Sequence, residues 1–387
     1  MTQAPTSRPI DPTEDEGATP RKVLFVAGAG RSGTSTLAGI VSILGMHVPQ
    51  PEVVADESNP KGFGEPKWCV EQHDRWLAEV NVQVSDARPS AWLDTGRVEA
   101  REPARIKVAD WLESHFAVAP ELVVKDPRLS WFLGLWRVGA LRVGADPVFA
   151  TMLRPPAEVV GSKQKYYANK LGSAHLAAGW VNMLLHTERA TRSDEQGGGR
   201  TFVRYADLLT DWVRTTTDMA EHLDLRAVLH ADSENIRAVH RFVDPNLRRV
   251  TVTLADLGLP KRLHELTQET WDQLNLLTDP AEDTPAAHAV LDQLREAYTD
   301  LYEESEAIAR STAVAARGDE ARKVRARQAA VVEPAPAAPH SLVDLVPHDV
   351  RAKIPAGVRR GVRKALGRER DAQDRGRDAQ GPQREGQ

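Results

Sequence analysis

The sequence predicts an α/β fold of three layers, α/β/α, around a central, mostly parallel sheet. Three observations point to it. Four short apolar runs, at 22–27, 121–124, 147–153 and 201–205, have the length of buried strands. Helical patterns fill the intervals, at about 67–80, 98–117, 129–143, 156–168, 173–192 and 206–224, so strands alternate with helices instead of pairing as hairpins. The first strand runs directly into Gly28-Ala-Gly-Arg-Ser-Gly-Thr-Ser-Thr36, a glycine-rich turn that opens a helix over about 33–45. Residues 232–310 also read as helical, with a long candidate helix at 284–310.

Composition narrows the class. Of 387 residues 41% are apolar, enough for a sizeable core. The single cysteine, Cys69, leaves no intramolecular disulfide and no Cys-rich zinc site, which suits a reducing compartment. Residues 1–21 are polar, rich in Pro and Thr, and show no signal-peptide pattern; they are expected to be disordered. The longest apolar stretch, around 37–48, is far short of the ~20 residues of a membrane span. A cytoplasmic protein is the expectation. The net charge of −5 argues against generic nucleic-acid binding.

The predicted domain spans 22–312. Beyond it, 313–387 turns to Ala, Arg, Pro and Gln and reads as a low-complexity basic tail. From residue 317 onward it carries 16 Lys/Arg against 10 Asp/Glu, which leaves an acidic body. Within the tail, 354–370 forms a candidate amphipathic helix. Val358, Val362 and Leu366 recur every four residues among Arg359, Arg360, Arg363 and Lys364, a pattern suited to peripheral contact with an anionic membrane surface. Pro355, Gly357 and the narrow apolar stripe favour the plainer alternative, a solvated tail.

The glycine-rich turn carries the chemistry. Glycines let several backbone N–H groups converge on one anion, and the helix that follows adds its unsatisfied N–H groups and positive dipole end. Arg31 can fork onto phosphate oxygens, and Ser32, Thr34, Ser35 and Thr36 supply hydroxyl donors alongside Gly30 and Gly33. Gly28 and Gly33 have the spacing of a nucleotide triphosphate loop, but Thr34 stands where that loop needs lysine. A P-loop nucleotide kinase or NTPase is therefore the weaker alternative.

Arg31-Ser-Gly-Thr-Ser35 instead resembles the 5′-phosphosulfate loop of the sulfotransferase family. The resemblance extends to Arg154 and Ser162, eight residues apart, where the family places an arginine and a serine on the 3′-phosphate. Pro155 and Pro156 suit a helix start, which puts Arg154 at a strand's carboxyl end. Val203-Arg-Tyr-Ala-Asp-Leu208 is similar to a later family segment whose tyrosine reaches the nucleotide, implying that role for Tyr205, although Ala206 replaces the usual acidic residue. Phe242–Arg249 resembles a further Asp-Pro…Leu-Arg segment of bacterial members, in which Arg248 or Arg249 would close over the cofactor; a surface salt bridge is the plainer reading.

The resemblance covers roughly 22–250 and implies 3′-phosphoadenosine 5′-phosphosulfate as co-substrate, with no metal. In Asn59-Pro-Lys-Gly-Phe-Gly-Glu65, the Gly-x-x-Glu pattern is similar to bacterial, tyrosylprotein and heparan-type members in which the glutamate is the base. Glu65 is the first candidate, with helix N-capping as its alternative role. Lys125-Asp-Pro-Arg128 resembles the Lys-Asp-Pro of tyrosylprotein sulfotransferases, implying that Lys125 stabilises charge on the sulfuryl group. Asp126 is the second candidate base, or orients Lys125 or Arg128. The acceptor is left open among small molecules, glycans, lipids and peptides. A non-catalytic nucleotide-binding module docked by the basic tail is the remaining alternative.

Overall fold

The computed structural model describes residues 20–55, 62–166, 171–192, 199–244, 252–331 and Val358. Four strands, β1 (Lys22–Ala27), β2 (Glu121–Lys125), β3 (Asp146–Leu153) and β4 (Arg200–Arg204), form one sheet in the order β2-β1-β3-β4, every pair parallel. Because successive side chains of a strand alternate between faces, β1 feeds two cores. Val23, Phe25 and Ala27 point into one, and Leu24 and Val26 into the other. Every residue of β1 and β2 is buried, as a parallel sheet covered on both faces requires.

Both layers are helical. α1 (Thr34–Ile43) follows β1; α2 (Lys67–Glu79), α3 (Ala91–Glu99) and α4 (Glu102–Phe116) lead to β2. A 3-10 turn, Pro127–Trp131, and α5 (Leu133–Arg142) lead to β3, and α6 (Pro156–Tyr166) and α7 (Ser173–Thr191) lead to β4. Then come α8 (Tyr205–Thr210), α9 (Trp212–Leu223), α10 (Arg226–Leu229), α11 (Ser233–Phe242), α12 (Lys261–Leu276) and α13 (Pro285–Val331). α1, α9 and α11 pack on the Leu24/Val26 face, and α2, α4, α5 and α7 on the other.

Some predicted helices are divided. The 98–117 pattern spans the end of α3 and all of α4, which restarts with Pro103 in its first turn. The 206–224 pattern breaks at Asp211, which caps α9 by accepting a hydrogen bond from Arg214 N. The long helix starts as expected but runs to Val331, past the predicted tail boundary. Two compact units are distinguished, 1–308 and 309–387; in the second, the described residues up to 328 are helical and exposed. The predicted helix 354–370 lies outside the described residues except for Val358, and so do residues 1–19. No helix among the described residues is long and apolar enough to cross a membrane.

The strand order fixes where a ligand belongs. β1 is flanked by β2 and β3, so the chain leaves the central strand in one direction and later crosses to the other side. At such a reversal the loops leaving adjacent carboxyl ends diverge and open a crevice. All four strands place a predicted site residue there: Gly28 onward after β1, Lys125 at the end of β2, Arg154 after β3 and Tyr205 after β4.

Candidate active site

The loop after β1 is built by conformations few residues adopt. Gly28 has φ +131°, and a Cβ there would lie 2.8 Å from the Met152 carbonyl oxygen on β3. Gly33 has φ +97° and forms the N-cap of α1 without any capping side chain. Arg31 takes φ +76°, a left-handed conformation that costs a non-glycine residue of order 1 kcal/mol and clusters at functional sites. Ser32 Oγ is buried in the loop with no hydrogen-bond partner among the described residues. An uncapped helix start and an unsatisfied buried hydroxyl together fit an anion. Gly30 differs from its neighbours, since a Cβ there would make only ordinary contact with Pro127 at 3.8 Å.

The second predicted cluster meets the first directly. Arg31 Nε donates to Ser162 Oγ at 3.2 Å, and Arg154 Nη1 donates to the Arg31 carbonyl at 3.0 Å. Arg154 is buried and oriented by Glu158, one helical turn on, whose Oε2 accepts from Nε at 3.0 Å. Its guanidinium stacks 5.1 Å from the centre of the Tyr205 ring. That ring in turn lies on Gly33, and the Tyr205 hydroxyl shares a hydrogen bond with the Thr36 side chain. Tyr205 is thus a wedge between the arginine and the loop, and burial pushes its phenol above the ordinary value.

Lys125 closes the site from β2. Its three N–H bonds go to Glu65 Oε1 at 2.5 Å, Ser35 Oγ at 3.0 Å and the Phe63 carbonyl at 3.3 Å. The Gly-Phe-Gly-Glu loop reaches this position because Gly62 and Gly64 both take positive φ, and Gly64 packs closely on Ala38 of α1. Glu65 and Lys125 are both buried. Burial raises the Glu65 carboxyl above its usual range, and the Lys125 charge offsets only part of that. Glu65 Oε2 has no partner among the described residues, so one oxygen is held and the other is left to take a proton. Helix capping is not its role, since the cap of α2 is Pro66 and no side chain bonds there.

Asp126 is placed differently from the base that the sequence allowed. It is fully buried and accepts from His73 Nδ1 at 2.7 Å, Arg128 N at 3.0 Å and Arg128 Nη1 at 2.9 Å. His73 Nε2 accepts from Trp136 Nε1 at 2.8 Å, so its proton sits on Nδ1 and is donated to Asp126. Burial works to raise the Asp126 carboxyl, but the bonds from His73 and Arg128 outweigh it and hold it well below the usual range. A carboxylate so engaged orients Arg128 and the turn after Lys125; it is poorly suited to accept a substrate proton.

Sequence reading missed Glu158, His73 as the partner of Asp126, and Lys163. Glu158 was detectable as an acid four residues after Arg154, in the first turn of the helix predicted to start at the two prolines. His73 and Asp126 are joined only by the fold. Lys163, next to Ser162, is buried with the Ser85 hydroxyl at 2.8 Å as its one hydrogen-bond partner among the described residues. Burial pushes its amine down to about 8. The folded state therefore disfavours the ammonium, a penalty complete below that pH and lost as pH rises to the ordinary lysine value of 10.5. Lys163→Met is expected to raise Tm at pH 7 and to raise it much less at pH 10. A lower Tm at pH 7 would show that the ammonium is compensated in the folded state.

The segments 56–61 and 245–251, which include Asn59, Lys61, Arg248 and Arg249, lie outside the described residues. Among the described residues no group of three or more His, Cys, Asp and Glu is placed to hold a metal ion.

Comparison with known proteins gives distant structural similarities and no relative. No family model and no curated protein matches the chain. Among solved structures, a sulfotransferase domain from a Synechococcus olefin synthase aligns over 66% of this chain and 96% of its own, at 17% identity and a TM-score of 0.35. A sulfotransferase domain from the curacin biosynthetic pathway aligns over 67% and 99%, at 16% identity and 0.36. A sulfotransferase from Mycobacterium tuberculosis aligns over 65% and 77%, at 18% identity and 0.34. Similarity at this level assigns no activity to the chain, so the side chains themselves must carry any functional reading.

Proposed function

We propose that this chain is a sulfotransferase that moves a sulfuryl group from 3′-phosphoadenosine 5′-phosphosulfate to a hydroxyl or amine of an acceptor. One observation carries the reading: the Arg31–Thr36 loop, the Arg154–Ser162 pair and the Lys125–Glu65 pair join into a single hydrogen-bonded cluster. Arg31 bonds Ser162, Arg154 bonds the Arg31 carbonyl, and Ser35 bonds Lys125. Two anion-binding groups beside a buried acid–base pair suit a doubly anionic nucleotide and a proton-releasing acceptor.

When bound, the nucleotide supplies the sulfuryl group as a phosphosulfate anhydride. The loop amides of Gly30–Thr36, Arg31 and the hydroxyls of Ser32, Thr34, Ser35 and Thr36 would hold its 5′ end. Arg154 and Ser162 would hold its 3′-phosphate, with Tyr205 keeping Arg154 and the loop in register. Lys125 brings positive charge to the crevice and anchors Glu65 Oε1, which leaves Oε2 to take the acceptor's proton. Since all three Lys125 donors are engaged, a direct bond to a transferring group requires it to exchange one, most simply Ser35.

Thermal shift tests the assignment. 3′,5′-phosphoadenosine is expected to stabilise the protein more than ATP with magnesium, and Arg154→Ala to erase that preference. Stronger stabilisation by ATP–magnesium would replace the proposal with a kinase or NTPase, the reading Thr34 already weakens by standing at the lysine position.

A further inference from the structure

A cavity of about 40 Å³, lined by none of the residues of that cluster, is bordered by α3, α7 and α13 and formed by Pro89, Trp92, Asn182, His186, Arg189, Arg295 and Thr299. A one-water cavity needs roughly 10–15 Å³, so this space suits an occupant of a few heavy atoms.

The lining specifies the sign of that occupant. His186 lies between two indoles, stacked on Trp131 at 5.4 Å and on Trp92 at 6.4 Å between centroids. Arg189 covers the other face of the cluster, its guanidinium 5.1 Å from the centre of the Trp92 ring. It forms no ion pair among the described residues. Arg295 is engaged at its two terminal nitrogens, Nη1 by Asp292 and Nη2 by the Leu185 carbonyl at 2.7 Å, with Glu188 Oε2 at 3.6 Å. Its Nε is buried and has no hydrogen-bond partner among the described residues. Glu188 and Asp292 are themselves shared with Arg192, and Glu188 also with Arg200. Arg200 also pairs with Asp283, so four arginines, Arg189, Arg192, Arg200 and Arg295, face three acids. Asn182 spends both amide hydrogens on the Asp86 and Arg88 carbonyls, and the Thr299 hydroxyl donates to the Arg295 carbonyl. Burial, reinforced by Arg295 and Arg189, pushes the His186 imidazole down to about 3, so it stays neutral.

We propose that this cavity binds a small oxyanion, received by the unpartnered Nε–H of Arg295 and the guanidinium of Arg189 against the Trp92–His186 wall. A buried, unsatisfied guanidinium N–H is costly, and an anion of sulfate size supplies the missing acceptor. The oxyanion is either free or the carboxylate of a larger ligand whose ring rests on Trp92. None of its lining residues belongs to the proposed nucleotide site, and the proposal does not depend on that assignment.

The test uses crystals of the full chain soaked with selenate, whose anomalous signal reports where each anion sits, whatever occupies the Arg31–Thr36 loop. A peak between Arg189 and Arg295 is expected in the wild type and not in Arg189→Leu, an exposed position that leaves the core intact. Calorimetry with sulfate, phosphate and benzoate then reads affinity. Arg189→Leu is expected to weaken the anion at this site by at least ~10-fold, the scale of one charge-assisted hydrogen bond. Tighter binding of benzoate identifies a carboxylate ligand, and tighter binding of sulfate or phosphate a free oxyanion. No peak at this position, a peak that survives Arg189→Leu, or binding only at soaking concentration would overturn the proposal.

Discussion

Glu65→Gln is expected to lower turnover at least ~100-fold while leaving affinity for 3′,5′-phosphoadenosine nearly unchanged, if the carboxylate is the general base proposed above. The geometry makes the substitution informative. The introduced amide keeps an oxygen that can accept from Lys125, so the local hydrogen bond survives, but it cannot take a proton. Removing the charge leaves Lys125 buried without its ionic partner, which costs about 1–3 kcal/mol for a weakened buried bond. A fall in Tm is therefore expected, and nucleotide affinity separates lost chemistry from lost fold. The pH profile gives a second readout. Burial raises the Glu65 carboxyl, and the base works only when deprotonated, so wild-type activity should climb with pH through a limb lying above the ordinary glutamate range. In Glu65→Gln the residual activity should lose that limb. A fully active Glu65→Gln enzyme would end the assignment.

Asp126 provides the contrast. Asp126→Asn replaces one of two oxygens that accept from His73 and Arg128 with a donor, so it should cost stability and disturb the turn after β2. It should not shift the acidic limb, because a carboxylate with three donors and no exposure titrates far below the working range.

The difference between Glu65 and Asp126 shows what the sequence could and could not disclose. The four strands lie within a residue or so of their predicted positions, since buried parallel strands are nearly continuous apolar runs and need no long-range information. The glycine-rich turn after β1 was legible for a similar reason, being local and set by glycines whose conformations are required. Arg154 and Ser162 could be paired by their eight-residue spacing, from the end of β3 into α6. The sequence ranked Glu65 ahead of Asp126 as base and left Asp126 open between base and orienting residue; the partners that distinguish them could not be read, because each lies far away in the chain. Lys125 reaches Glu65 across 60 residues, and His73 reaches Asp126 across 53. Helix breaks were missed where one side chain decides them, as Asp211 does by capping α9.

Gly33→Ala is expected to be the most damaging change in the loop for nucleotide binding. Two independent effects act at this position. Its φ of +97° is strained for any residue with a Cβ, at about 1–3 kcal/mol. The new methyl would also fall 2.2 Å from Tyr205 Cδ2, with the whole near edge of the ring within 3 Å. The ring cannot give way freely, since it is buried, stacked under Arg154 and bonded to Thr36. Relief of the clash must therefore displace Arg154, the proposed holder of the 3′-phosphate, or the start of α1, the proposed holder of the 5′ end. Affinity for 3′,5′-phosphoadenosine should fall by at least ~10-fold, equivalent to a little over 1 kcal/mol. Gly30→Ala is the internal control, because its Cβ would meet only Pro127 at 3.8 Å and binding should be close to wild type. The double variant Gly33→Ala/Tyr205→Ala removes the clash but keeps the backbone strain. If the wedge transmits the damage, the double variant should bind better than Gly33→Ala alone yet stay weaker than wild type. Wild-type affinity in Gly33→Ala itself would mean that the loop and Arg154 are not coupled through Tyr205, and the joined site described here would lose its central contact.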